Sequence, residues 1–341
     1  MSDIDIRITG RAGRITLTRP KALNAMTYDM CLAIEAALDD WAGNDAVALV
    51  VIDAEGDRAF CSGGDIAELY ATGKKGDFAY GRRFWADEYR LNNKMSAYPK
   101  PIVSLLQGFT MGGGVGIGCH GSHRIVGDSS QIAMPECGIG LVPDVGGTLI
   151  LARAPGRLGE YLGTTGTRLG PDDAILAGFA DIYLPEESWP ALVAKLESGG
   201  HPSVIDGQTP PPGTLRPQTA EIDRLFAGGD LGKIRENLEN ADSDFAADAL
   251  KKLSRASPLS AACTIEIIRR LREAGPTMPA ALDLEYRFTF RAMERGDFLE
   301  GIRAAIIDKD RNPQWQHADG DVPPAAISDM LHPLGADALK L

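Results

Sequence analysis

The segment MPECGIGLVPDVGG, residues 134–147, carries two carboxylates, Glu136 and Asp144, eight positions apart with no Lys, Arg or His between them. Acids in so apolar a stretch suit general acid–base or nucleophilic work. If both are desolvated and close, their titrations couple and one is pushed upward. The plain alternative is that they cap turns. Two glycine-bearing segments offer complementary chemistry. GGGVGIGCHG (112–121) reads as a short helix starting at Gly112–Gly114, whose first N–H groups lack intrahelical partners. SGGD (62–65) follows a strand, again with unobstructed amides, ahead of a helix beginning near Asp65. Two such loops after neighbouring strands can aim two N–H donors at one oxygen. Taken singly, each is an ordinary tight turn or packing helix.

The formal G-x-G-x-x-G at Gly116, Gly118 and Gly121 fails as a dinucleotide fingerprint. The helix it should open has no room before the strand at His123. His120 and His123 lack ligand-spaced partners, so no metal is expected. The five scattered cysteines show neither CxxC nor disulfide spacing and read as reduced core thiols.

These residues need a scaffold. RITLT (14–18), VALVVID (47–53), IVSLLQG (102–108) and HRIVGD (123–128) are β-branched runs that predict strands. Between the first two, Thr27 caps a helix carrying Met30, Ile34, Leu38 and Trp41 at helical spacing. Strand and helix alternate to about residue 185, which is α/β architecture. A Pro/Gly-rich loop (198–218) follows a core spanning 1–197. Residues 219–316 read as helical, and 317–341 as a loosely attached tail.

Hydrophobic residues make up 44% of the 341, enough for a large core, and the net charge of −12 disfavours a nucleic-acid partner. No run of about 18 apolar residues predicts a membrane span. The first residues lack a signal core or Arg-rich presequence, so a soluble cytoplasmic protein is expected.

RPKALNAM (19–26), AFCSGGDI (59–66), GFTMGGGVGIG (108–118) and MPECGIGLVPDVGG, in that order, resemble the crotonase, or enoyl-CoA hydratase/isomerase, superfamily. The resemblance implies a crotonase-like spiral of ββα units followed by a helical C-terminal region. It also implies an acyl-CoA thioester as partner and substrate, with no cofactor beyond the substrate's own CoA. The amides of Gly64 and Gly113 would form an oxyanion hole. Lys21, Ala22, Leu23, Ala25, Ser62, Gly63 and Asp65 would contact CoA, with Lys21 or Arg19 near a phosphate, and Glu88 would contact substrate. Superfamily members form trimers or paired trimers. A homo-oligomer is therefore allowed, though the long helical region can alter or block it.

Hydratases of the superfamily carry a glutamate where this chain has Gly116. The Glu136/Asp144 pair, together with 85–108, 253–260 and 285–315, resembles instead the 3-hydroxyisobutyryl-CoA hydrolase group. The expected reaction is hydrolysis of a short 3-hydroxyacyl-CoA, as in valine breakdown, with Glu136 as base or nucleophile and Asp144 near the acyl group. Two competing readings remain: a hydratase or isomerase, marked by consumption of crotonyl-CoA, and a non-catalytic acyl-CoA binder, marked by binding without thiol release.

Overall fold

The computed structural model describes residues 3–318 and 320–341. The strands are β1 (Ile4–Thr9), β2 (Ala12–Leu17), β3 (Leu49–Ala54), β4 (Ala59–Cys61), β5 (Ile102–Leu105), β6 (Phe109–Met111), β7 (His123–Val126), β8 (Gln131–Ala133) and β9 (Ile182–Tyr183). Up to residue 199 the helices are α1 (Tyr28–Ala42), α2 (Ala67–Gly73), α3 (Ala79–Ser96), α4 (Gly113–Gly118), α5 (Gly147–Arg153), α6 (Leu158–Thr165), α7 (Pro171–Leu176) and α8 (Trp189–Gly199). The rest are α9 (Thr219–Leu225), α10 (Leu231–Glu239), α11 (Asp244–Leu253), α12 (Pro258–Ala274), α13 (Met278–Arg295), α14 (Phe298–Ile302) and α15 (Pro324–Met330).

The chain divides into two compact units. The first comprises 1–65, 90–133 and 168–214, and the second 66–89, 134–167 and 215–341. The first unit holds all nine strands. Six form a sheet in the order β1-β2-β3-β5-β7-β9, parallel except for the β1–β2 hairpin, and three form a parallel sheet β4-β6-β8. The chain therefore enters the large sheet at β3, β5 and β7 and each time steps directly into the small one at β4, β6 and β8. Such stepping is a spiral of ββα-type turns. Val51, Val103, Leu105 and Ile125 bury one face of the large sheet beneath Trp189, Leu192 and Leu196 of α8. Strands buried on both faces read as continuous β-branched runs, and these do.

Thr27 caps α1 as its position predicts, its hydroxyl accepting the Met30 N–H at 3.2 Å. Beyond the last two residues of α8, stretch 198–218 has as helical structure two 3-10 turns, Pro202–Val204 and Arg216–Gln218.

The second unit is helical. In α12 and α13, Ser257 and Thr277 cap the starts and a proline follows within the first turn. The C-terminal stretch expected to be loose is fastened instead. Met330 and Leu331 are buried, and their carbonyls accept from Arg291 and Arg287 at 3.2 and 3.3 Å. Short apolar pairs like this are invisible to composition, which sees mainly prolines and charges. All five cysteines are buried and none is joined in a disulfide. Among the described residues no helix is long and apolar enough to cross a membrane.

Candidate active site

In the first unit, β4 ends at Cys61 and the chain turns through Ser62–Asp65. This turn is zipped to the loop after β2: Ser62 N–H donates to Leu23 O (3.0 Å), Met26 N–H to Gly63 O (2.9 Å) and Asp65 N–H to Met26 O (2.8 Å). Lys21 and Ala22 sit on the exposed 3-10 turn Pro20–Ala22, followed by Leu23 and Asn24 in the left-handed region. Asn24 anchors the turn. Its side chain donates to Glu55 O and Ala59 O at 3.0 and 2.9 Å and accepts the Arg19 N–H at 2.9 Å. The positions expected to contact CoA thus lie on two loops of this unit that are hydrogen-bonded to each other, with Gly63 buried between its neighbours. Arg19 is committed elsewhere, to Asp65, Asp3 and the Ala25 carbonyl. Lys21 is therefore the cation of this loop available to a phosphate.

The two glycine loops touch. Gly63 has φ 114°, and a Cβ there would lie 3.3 Å from Met111 O and 3.9 Å from the Gly113 nitrogen. A Cβ on Gly114 would come within 2.3 Å of Cys61 O, so α4 opens directly against the end of β4. Only glycine permits that approach. Among the described residues, neither the Gly64 nor the Gly113 N–H has an acceptor. Such a pair of amides can receive an oxygen that gains negative charge. Gly116 lies inside α4, so no acid projects from that position.

The acids belong to the second unit. Glu136 opens a 3-10 turn, Glu136–Ile139, whose first two residues are buried, and Asp144 precedes α5. Glu88 and Tyr89 come from α3 and Glu285 from α13. Relative exposures are 5% for Glu136 and Asp144, 4% for Glu88 and 0% for Glu285. The Tyr89 hydroxyl donates to Asp144 Oδ2 at 2.8 Å. Glu285 accepts the Gly146 N–H (2.8 Å), the Thr148 N–H (3.0 Å) and the Thr148 hydroxyl. That grip holds the Asp144–Thr148 loop although Val145 is left-handed at φ 54°, a costly state for a β-branched residue. Among the described residues, Glu88 Oε1 and Glu136 Oε2 have no hydrogen-bond partner.

Buried carboxyls without a cation resist ionising. Burial, then the Asp144 charge, lifts Glu88 well above the usual carboxylate range. Burial, then Asp144 and Glu285, does the same for Glu136. Burial pushes Asp144 up to about 7 against the Tyr89 hydrogen bond, and Glu285 up to about 8 against its own three. The Tyr89 phenol is raised too, chiefly by burial, so it stays a donor. The cluster therefore holds protons near neutral pH, and carboxylate and carboxylic acid coexist within it.

The structure brings Glu136, Asp144 and Glu88 together within one unit. Sequence reasoning missed Tyr89, Glu285 and Asn24. Glu285 and Thr289 occupy the same stripe of α13 as buried Ala281, Phe288 and Ala292, and an acid on an apolar stripe was the available signal. Glu88 follows Phe84 and Trp85 on the buried side of α3 in the same way.

The first unit thus carries a spiral of paired sheets with amides left open at its glycine turns, and the second carries a buried carboxyl cluster. The chain belongs to the enoyl-CoA hydratase/isomerase family, whose profile matches residues 12–331. It is 39% identical to the mitochondrial 3-hydroxyisobutyryl-CoA hydrolase of Danio rerio over 92% of this chain and 85% of that one. With the Homo sapiens protein of the same name it shares 36%, over 97% and 89%. A Rhodobacter sphaeroides structure described as an enoyl-CoA hydratase superposes with a TM-score of 0.97 at 59% identity, covering both chains fully. One described as a carnitinyl-CoA dehydratase, from Mycobacterium thermoresistibile, gives 0.93 at 36% identity over 98% and 97%.

Proposed function

We propose that this protein hydrolyses a short-chain 3-hydroxyacyl-CoA thioester, with 3-hydroxyisobutyryl-CoA the first candidate and valine breakdown its context. The observation that carries this reading is the buried pair Glu136 and Asp144, which has no ion-pair partner among the described residues, with Tyr89 donating to Asp144. The names of the curated relatives support the same reaction.

In the proposed mechanism the thioester oxygen is received by the Gly64 and Gly113 amides as the carbonyl carbon becomes tetrahedral. Ionised Glu136 then acts in one of two ways. It attacks the carbon and expels the CoA thiolate, leaving an anhydride that water opens to restore the carboxylate. Alternatively it takes a proton from water, whose oxygen attacks directly. In both routes the departing sulfur needs a proton, and a neighbouring carboxylic acid can supply it. Asp144, pushed up to about 7, suits that role and has a second oxygen for the substrate's 3-hydroxyl. Lys21 and the turn around it take the nucleotide end of CoA, and Glu88 holds the acyl end.

The descriptions of the two solved structures favour a second reading, hydration of an enoyl-CoA. It needs one carboxyl to activate water and another to deliver a proton to carbon, and here both would come from the second unit, since Gly116 supplies none. One experiment separates the readings. Thiol release from 3-hydroxyisobutyryl-CoA is followed beside crotonyl-CoA absorbance, with and without a chelator, for the wild type and Glu136→Gln. Thiol release that survives chelation and is lost in the variant supports the hydrolase. Crotonyl-CoA turnover without thiol release refutes it.

A further inference from the structure

Glu136 and Asp144 differ in what holds them. Asp144 is fixed from outside its loop, by the Tyr89 hydroxyl on its carboxyl and by Glu285 on the amides that follow it. The Glu136 carboxyl is met by its own backbone N–H, and its Oε2 by no described residue. The direction in which it projects is therefore set by packing and by the backbone of the turn it opens.

That turn is gripped from two sides within the second unit. At the start of α12 the Ser257 N–H donates to Cys137 O at 2.8 Å. The Ser257 hydroxyl donates to Asp297 Oδ2 at 2.6 Å and accepts the Ser260 N–H at 3.1 Å. Asp297, between α13 and α14, accepts the Gln316 N–H on its other oxygen at 3.1 Å. Both of its oxygens act as acceptors, which a carboxylate supplies and an amide does not. The far end of the turn rests on the same residue. Gly140 has φ 76°, and a Cβ there would lie 2.4 Å from the Asp297 carbonyl carbon. A Cβ on Gly301 would lie 2.2 Å from Ile139 O, so α14 also closes on the turn. Ser257 and Asp297 are 0% and 1% exposed, and their bonds form out of reach of water. Stretches 253–260 and 285–315, which resemblance alone had set apart, thus each supply one half of a clamp.

We infer that Ser257 and Asp297 are positioning residues for Glu136, fixing the backbone of Glu136–Ile139 and with it the direction of the Glu136 carboxyl. The inference rests on Glu136 being the reacting carboxyl. Neither residue is hydrogen-bonded to that carboxyl; both act through Cys137 O and Gly140.

Ser257→Ala, Asp297→Asn and the double variant test this in the full chain. Asparagine has one acceptor oxygen where two are used, so one of the two bonds is lost. Ile234→Val, a buried change in α10, is the control for lost stability alone. Urea unfolding ranks the variants, thiol release from 3-hydroxyisobutyryl-CoA gives kcat and KM, and hydrogen exchange reads the amides of 138–141. Ser257→Ala should speed exchange there at least ~10-fold and lower kcat by about 10–100-fold, with KM changed by less than about 3-fold. Should that variant not fold, Asp297→Asn carries the same comparison, with kcat lower by about 3–30-fold. Because the two side chains act as one unit, the double variant should be no more than ~3-fold slower than Ser257→Ala. Ile234→Val should change neither kcat nor exchange of the turn. If Glu136→Gln abolishes thiol release but the clamp variants lower kcat no more than Ile234→Val does, the hydrolase stands and the clamp is overturned. If crotonyl-CoA is consumed and no thiol appears, the hydrolase fails instead. The same kcat measured on hydration then supports the clamp by falling and overturns it by staying level. Turnover of neither substrate removes Glu136 from the chemistry and overturns both.

Discussion

Asp144→Asn should make the protein more stable at pH 8 while removing most of its activity. Asp144 titrates at about 7 in the fold against 3.8 for a free side chain. The folded state therefore holds the proton more tightly than the unfolded chain does. The resulting stabilisation is complete below about pH 4 and is lost as pH rises to about 7. The full loss is about 4 kcal/mol, of which roughly 2–3 kcal/mol falls between pH 5 and pH 8. Asparagine keeps an oxygen for the Tyr89 hydroxyl and cannot ionise, so this portion of the pH dependence disappears. Glu88, Glu136 and Glu285 share the same buried protons, and removing one charge also eases the others. Urea unfolding at pH 5, 6.5 and 8 measures the effect. The variant should match the wild type at pH 5, or lie slightly below it, and exceed it by about 1–4 kcal/mol at pH 8. Thiol release at pH 8 should fall by about 10²-fold or more. A variant that loses stability relative to wild type as pH rises, or tracks it in parallel, would refute the claim that this acid is ionised at a cost.

The remaining predictions concern the same two groups of residues. If ionised Glu136 is required, kcat/KM for thioester hydrolysis should rise with pH through an apparent value well above the range of an ordinary glutamate, because burial and then the Asp144 charge oppose its ionisation. A profile already flat above pH 5.5 would count against a buried carboxylate as base or nucleophile. Gly114→Ala forces a Cβ to within 2.3 Å of the Cys61 carbonyl and displaces the start of α4. It should lower kcat by about 10²–10³-fold with a smaller change in KM, measured by steady-state kinetics. Glu285→Gln replaces one of the two carboxylate oxygens, which between them accept three hydrogen bonds, with an NH₂. It should loosen the Asp144–Thr148 loop, cut kcat by roughly 10-fold and shift the pH profile, whereas a purely structural glutamate would change only the unfolding midpoint.

Much of this was legible in the residues. VALVVID, IVSLLQG and HRIVGD announced buried parallel strands because parallel sheets are covered on both faces. The acids at 136 and 144 stood out because ionisable groups seldom enter apolar segments without a task. The start of a short helix within Gly112–Gly114 followed from glycine content and the strand on either side, and α4 begins at Gly113. The small sheet was not legible: β4, β6 and β8 have three residues each, too few to show alternation. Nor was the attachment of the C-terminus, which depends on two apolar side chains and two arginines some 40 residues away in sequence.

By itself the sequence determined which chemistry the chain carries: two glycine turns with open amides, two acids in an apolar loop, and the alternation of strand and helix that displays them. Tertiary structure alone decided the electrical state of the acids. A carboxyl's willingness to ionise depends on the water it loses and the charges it meets, and those come from helices α3 and α13, about 50 and 140 residues distant along the chain. Glu285 shows the point most sharply. Its side chain is no different from that of any surface glutamate, and only burial beneath the Asp144–Thr148 loop makes it a clamp.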